Sequence, residues 1–408
     1  LNKGKDSSGT GNSGTIEALL AAKEIVVVCG PGGVGKTTIA AAAAAMAACH
    51  QGGKVLVVTV DPARRLAHAL GLRQGSGVER VRNSAFQAAG AAPRGELWAE
   101  MLDAKQSWDT LVTRHAPDPA TARRILDNPL YQDISSRFVQ SHDYIAVERL
   151  YELHSEGNYD LIVVDTPPTR NALDFLLAPE RTADFFSSRL LRLLTVPYKS
   201  RLADVASRPF YYVADRVIGS QFLEDIAEFF ILFQTLSDGF VQRAQEVQRL
   251  LADRRTTFIV VGTLEAMPVR EAGAFMDLLP VKGFHLGALI LNRVLPAYLL
   301  DAGAAERAAK LSSRADRLAA ALSSVALKDV EPALIERVLK EVGTNFINMT
   351  VVANREASQR SELARSPGVV ISVPELEEDV HDLSGVLDVG RYIWAWDRPP
   401  ATSGSQRR

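Results

Sequence analysis

The stretch Gly30-Pro31-Gly32-Gly33-Val34-Gly35-Lys36-Thr37-Thr38 constrains this chain more than any other. It follows Ile25-Val26-Val27-Val28-Cys29, a β-branched run that reads as a buried strand. An alanine-rich run at 39–49 with helix propensity comes next. Strand, glycine-rich turn and helix are the context in which G-x-x-x-x-G-K-T cradles phosphate. Glycines let backbone N–H groups turn inward, and the following helix aims its unpaired N–H groups and positive dipole end at the same point. On this reading Gly32, Gly33, Val34, Gly35, Lys36, Thr37 and Thr38 wrap the phosphates of a nucleoside triphosphate. Lys36 reaches the outer phosphates, and the Thr37 hydroxyl ligates Mg2+.

Two other readings compete. Gly30, Gly32 and Gly35 also satisfy G-x-G-x-x-G, and Asp61 ends the next predicted strand where a ribose-binding acid would sit. A dinucleotide site, however, has no use for Lys36-Thr37 directly after the last glycine. A turn that binds nothing is the plain alternative.

Of the 408 residues 47% are apolar and the formal net charge is -2, so a large core is available and bulk charge gives no sign of a nucleic-acid partner. Two cysteines, Cys29 and Cys49, are too few for a disulfide framework and read as packing residues. No C-x-x-C occurs, and the seven histidines are scattered. Residues 1–14 and 398–408 are polar and rich in Gly, Ser, Pro or Arg, and are expected to be disordered tails on one domain at 15–397. The first stretch does not suit a signal peptide, nor the alanine-rich run a bilayer span. The expected location is the cytoplasm, with no transmembrane segment and with peripheral membrane association left open.

Further strands are predicted at 54–60, 96–102, 159–165, 257–261, 286–291, 349–352 and 369–373. Between them lie helical insertions at about 103–157, broken at Pro117-Asp118-Pro119 and Asn128-Pro129, and at 172–254. The alternation predicts an α/β fold: a mainly parallel central sheet, helices on both faces and an inserted helical subdomain. Ligands in such sheets bind beyond the carboxyl ends of the strands. Lys36, Asp61, Asp165, Glu265 and Asn292 all fall just after a predicted strand, which implies one shared site. Asp165, after Leu161-Ile162-Val163-Val164, has the form of the second acid of a phosphate-loop enzyme, holding Mg2+ through a water; a strand-end cap is the alternative. Asp61 either orients or deprotonates the attacking water, or belongs to an Asp-Pro turn.

The loop, Asp61-Pro62-Ala63 and Asp165-Thr166-Pro167-Pro168-Thr169 resemble the phosphate loop and two switch regions of the ArsA-type anion-transporting ATPases, which include targeting factors for tail-anchored membrane proteins. Val261-Gly262-Thr263-Leu264-Glu265, Leu291-Asn292-Arg293 and the run from Val373-Pro374 to Leu383 are similar to its later nucleotide-contacting segments. The resemblance covers residues 24–394 and implies a dimeric ATPase using ATP and Mg2+. It further implies that Asp61 is the catalytic acid, assisted by Lys36 and Asp165. Asn292 would bond adenine, Glu265 would contact nucleotide near the dimer interface, and Pro374 would flank the base.

Two departures carry weight. The family's loop begins Gly-Lys-Gly-Gly, its extra lysine reaching the partner's phosphates, whereas this chain has Pro31. Either hydrolysis is slow, or another cation such as Arg64 or Arg65 substitutes, or a lysine-bearing paralogue completes the site. The last, a heterodimer with Pro31 in its non-donating half, is the favoured expectation, with a homodimer left open. Two thiols also cannot make a three-thiolate arsenite site. The insertion mixes apolar and basic residues over 185–221, and by resemblance it offers a groove for a membrane-protein or other helical client. Amphipathic helices packing on one another explain the same pattern. Two further whole readings stand beside the ATP-driven switch: a partitioning or cell-division ATPase, and a nucleotide-regulated scaffold with little turnover.

Overall fold

The computed structural model describes residues 15–59, 65–72, 77–132, 139–166, 184, 228–232, 235–327, 329–364 and 368–394. Eight strands form one sheet: β1 (Ile25–Cys29), β2 (Lys54–Thr59), β3 (Gly77–Arg80), β4 (Glu96–Met101), β5 (Leu161–Asp165), β6 (Thr256–Gly262), β7 (Leu286–Val294) and β8 (Val369–Pro374). Their order is β3-β4-β2-β5-β1-β6-β7-β8, and every pairing is parallel except that of β3 with β4. β1 lies mid-sheet, between β5 and β6, so the loop after it opens where successive connections diverge to opposite sides.

β1, β5 and β6 are buried along their whole length because helices cover both faces. Alternate residues feed two cores. Val26, Val28, Ile259 and Val261 pack with the helix Lys36–His50, while Val27, Phe258 and Val260 pack with Leu150, Val247 and Phe275. The alanines of Lys36–His50 are buried and let that helix sit close between the sheet and the terminal helix Leu383–Trp394. The contact is tight: a Cβ on Gly390 would lie 2.5 Å from Met46 Cγ.

The first insertion breaks at its prolines, into Ala104–His115, Pro119–Asp127, a helical stretch that begins at 129, and, beyond residues outside the described ones, Val139–Glu156. Asp118 starts the second of these by accepting hydrogen bonds from the Ala120 and Thr121 N–H groups, with Pro119 in the first turn, where no N–H is needed. Of the second insertion the helix Ser237–Ala252 is described, whereas residues 167–183 and 185–227 lie outside the described residues, as do both expected tails. No helix of the described residues is long and apolar enough to cross a membrane.

Three expectations need correction. Residues 349–352 are not a strand but part of the helix Pro332–Leu363, which packs through Ile335, Gly343, Ala353 and Leu363 and leaves Met349 and Val351 exposed. Two valines in a row suggested strand, yet the buried positions recur at helical spacing, and that wider period prevails. β3 was not expected, because Gly-Val-Glu-Arg is short, polar and an edge strand. Finally, β7 runs on to Val294, so Asn292 sits within the strand rather than after it.

Candidate functional site

The loop between β1 and the helix Lys36–His50 is built by glycine geometry. Gly30, Gly33 and Gly35 have φ of 143°, 79° and 92°, backbone that other residues rarely adopt. Gly30 lies directly on β6, where an added Cβ would come within 2.0 Å of the Val261 carbonyl oxygen. Gly32 and Gly33 face solvent, so the rim of the loop is open to a ligand. Lys36 is buried and donates to the Pro31 carbonyl at 2.8 Å, which lays its ammonium across the loop.

Asp165 ends β5 and is 1% exposed. Thr37 Oγ1 donates to its Oδ2 at 2.7 Å, and Thr59 Oγ1 donates to the same oxygen at 2.8 Å. Burying a carboxylate is costly unless hydrogen bonds replace its water, and these hydroxyls supply two of them, both to Oδ2. Thr166 fastens the end of β5 to β1 by donating both its N–H and its hydroxyl to the Val28 carbonyl. The result is a hard oxygen pair, one hydroxyl and one carboxylate, at the foot of the glycine-rich loop. That donor set suits Mg2+ and a phosphate chain.

From the loop a cavity of about 710 Å3 runs between Gly35, Thr38 and Asn292 on one side and Pro374, Leu376 and His381 on the other. Its size suits a nucleoside. Asn292 Nδ2 donates to the Val34 carbonyl at 2.9 Å and lies where a Gly35 Cβ would be 2.4 Å away. Arg293 takes φ 57° at the irregular end of β7, and beyond it Glu375 N–H bonds the Val294 carbonyl, joining β7 to the closing segment.

Lys36, Thr37, Thr38, Asp165, Asn292 and Pro374 thus gather at one end of the sheet. Glu265 does not line this cavity; it is exposed and precedes the helix Ala266–Val281, whose first turn its carbonyl begins by accepting from Val269 N–H. Asp61, Arg64 and the Arg65 side chain lie outside the described residues. Sequence reasoning missed Thr59 and His68, whereas Arg293 lay in the segment Leu291-Asn292-Arg293 that it singled out. Thr59, the last residue of β2 and on the strand that leads to Asp61, carried the only positional signal. Cys29 is buried, donates its thiol to the Ile259 carbonyl at 3.5 Å, and is pushed well above the usual thiol range by desolvation. Cys49 is half-buried on the helix beside it, its pKa also raised by burial.

Residues 23–331 match the sequence model of a family described as anion-transporting ATPase. An uncharacterized protein of Streptomyces coelicolor, SCO2128, is 30% identical over 275 residues, 66% of this chain and 62% of that protein. A protein of Aquifex aeolicus with the provisional name arsenical pump-driving ATPase 1 is 24% identical over 391 residues, 92% of this chain and 80% of that protein. The ATPase GET3 of Malassezia globosa is 25% identical over 272 residues, 65% of this chain and 71% of that protein. The chain therefore spans about three fifths of the length of the Streptomyces relative, 62%.

Proposed function

The chain belongs to the anion-transporting ATPase family, and from that premise we propose that it binds ATP with Mg2+ and hydrolyses it as a dimeric molecular switch. The observation that carries this reading is the Thr37–Asp165 hydrogen bond at 2.7 Å beneath a loop crossed by Lys36. Thr37 and Asp165 would hold Mg2+, which supplies Lewis-acid stabilisation of the charge developing on the phosphates. Lys36 swings from the Pro31 carbonyl to the outer phosphates, and the backbone N–H groups of Gly32 to Thr38 orient them. Asn292 and Pro374 border the base, and Asp61 orients the attacking water and takes its proton. Phosphoryl transfer asks a protein mainly for such positioning and charge. Glu265 contacts the nucleotide from the dimer interface rather than from the cavity wall.

Hydrolysis is coupled to rearrangement of the helical subdomain at 172–254, which receives a helical or membrane-protein client. The work is done in the cytoplasm, at the periphery of a membrane when such a client is delivered. The domain occupies 15–397, with the helical insertion at 103–157 packed on the same sheet.

Pro31 favours a heterodimer. A cation supplied across an interface is worth roughly 10³–10⁵ in rate in the comparable arginine-finger case, and a proline cannot supply one. Aquifex aeolicus has two relatives provisionally named arsenical pump-driving ATPase, 1 and 2, so more than one such chain occurs in one organism. Arsenite fits this chain poorly as a cargo: its two cysteines, both with pKa raised by burial, do not make a soft three-thiolate site.

Mg2+-ATPase activity, ATP binding and sedimentation of the wild type and Asp61→Asn test the reading. Binding retained with hydrolysis lost in Asp61→Asn supports it; equal hydrolysis by both overturns the assignment of Asp61. A wild-type rate that depends on neither concentration nor any related chain overturns the heterodimer.

A further inference from the structure

On the other side of the end of β8 lies a second cavity, of about 830 Å3, roofed by the helix Pro332–Leu363. Its volume is in the range of small-molecule sites. Leu264, Val294, Leu295, Pro296 and Leu300 give it apolar walls, and Pro374 is shared with the nucleoside cavity. Strand alternation sends Ile371 and Val373 into the core beside the helix Lys36–His50, and Ser372 to the opposite face, into this cavity.

Ser372 is the unusual feature. It is 8% exposed, and among the described residues its hydroxyl has no hydrogen-bond partner. A buried hydroxyl facing apolar walls costs free energy unless something bonds to it. The charged groups on the lining are Arg360, Arg391 and Glu356, and Arg391 also pairs with Asp388 outside the cavity. The Glu356 carboxyl already accepts the Leu295 N–H, and burial raises its pKa.

We propose that this cavity is a second ligand site, for an amphipathic organic anion. Its apolar body lies against Leu264, Val294, Pro296 and Leu300, its carboxylate is drawn to Arg360 and Arg391, and Ser372 donates to a ligand oxygen. A neutral molecule of the same shape would fill the walls and forfeit the guanidinium groups, which bond charged acceptors about twice as strongly as neutral ones. Because Pro374 also borders the nucleoside cavity, binding is measured without nucleotide.

The test is calorimetric titration of the full chain with decanoate and, as its neutral counterpart, decanol. Wild type binds decanoate saturably. Ala357→Phe, which fills the cavity from the roof helix, weakens binding about tenfold or more. Arg391→Gln, at a largely exposed position, weakens decanoate several-fold and leaves decanol unchanged. Ser372→Ala weakens decanoate without altering the cavity shape, so it and Arg391→Gln decide the matter if Ala357→Phe does not fold. No saturable binding to wild type, or binding that neither Ser372→Ala nor Arg391→Gln reduces, overturns the proposal.

Discussion

Thr37 on the loop helix and Asp165 at the end of β5 are joined by a hydrogen bond of 2.7 Å, although 128 residues separate them in the chain. The bond ties the phosphate loop to the strand beside β1. Asp165→Asn keeps the shape but discharges the oxygen. Mg2+-dependent ATP hydrolysis should fall by roughly 10²–10³, as when one charge-stabilising partner is removed elsewhere. Steady-state assays over a Mg2+ series check this, and a variant with wild-type Mg2+ dependence would contradict it.

Gly30 is the steric keystone of the loop. Gly30→Ala combines a disfavoured φ of 143° with a Cβ 2.0 Å from the Val261 carbonyl. Strain of this kind costs about 1–3 kcal/mol, and the loop must lift from β6. Chemical denaturation should show that loss together with weaker ATP binding. Gly33→Ala, where a Cβ meets nothing within 4 Å, should cost less.

Pro31→Lys restores a cation at the head of the loop. If the paralogue's role is to supply that charge, the variant alone should hydrolyse ATP faster than wild type, by up to ~10³. Sedimentation velocity with ATP would show it as a dimer. An unchanged rate in a protein that still binds ATP would argue for a cation from elsewhere in the chain.

His115 lies at the end of Ala104–His115, its Nε2 2.8 Å from Arg243 of the helix Ser237–Ala252. Burial first, and then the positive charge of Arg243, lowers its pKa below the usual 6.5. A histidine with a depressed folded pKa takes up a proton more readily when unfolded, so stability rises with pH. Its contribution is complete above the unfolded value and is lost as pH falls through the folded one. Wild-type stability should therefore decline with falling pH below about 6.5, the ordinary histidine value, and His115→Gln should flatten that decline. Denaturation midpoints at a series of pH values check it.

Much of this fold was legible in the sequence because its signals are local. A β-branched run before Gly30 and an alanine run after Thr38 leave little freedom, and the parallel strands buried on both faces read as continuous apolar stretches. β3 was hidden because an edge strand pairs on one side only and owes its existence to β4. Residues 349–352 read as strand because four residues alone do not show the helical period that the flanking sequence carries. In the site, Lys36, Thr37 and Asp165 were readable from spacing. The shared hold of Thr37 and Thr59 on a single oxygen was not, because it depends on how β2, β5 and the loop helix meet.

ATP binding by calorimetry in Mg2+, with wild type and Lys36→Ala compared side by side, tests whether the loop at 30–38 holds phosphate. Wild type should bind saturably, and Lys36→Ala should weaken binding at least tenfold, which is about 1.4 kcal/mol. No binding to the wild type, or equal binding to both proteins, would contradict a phosphate site at this loop.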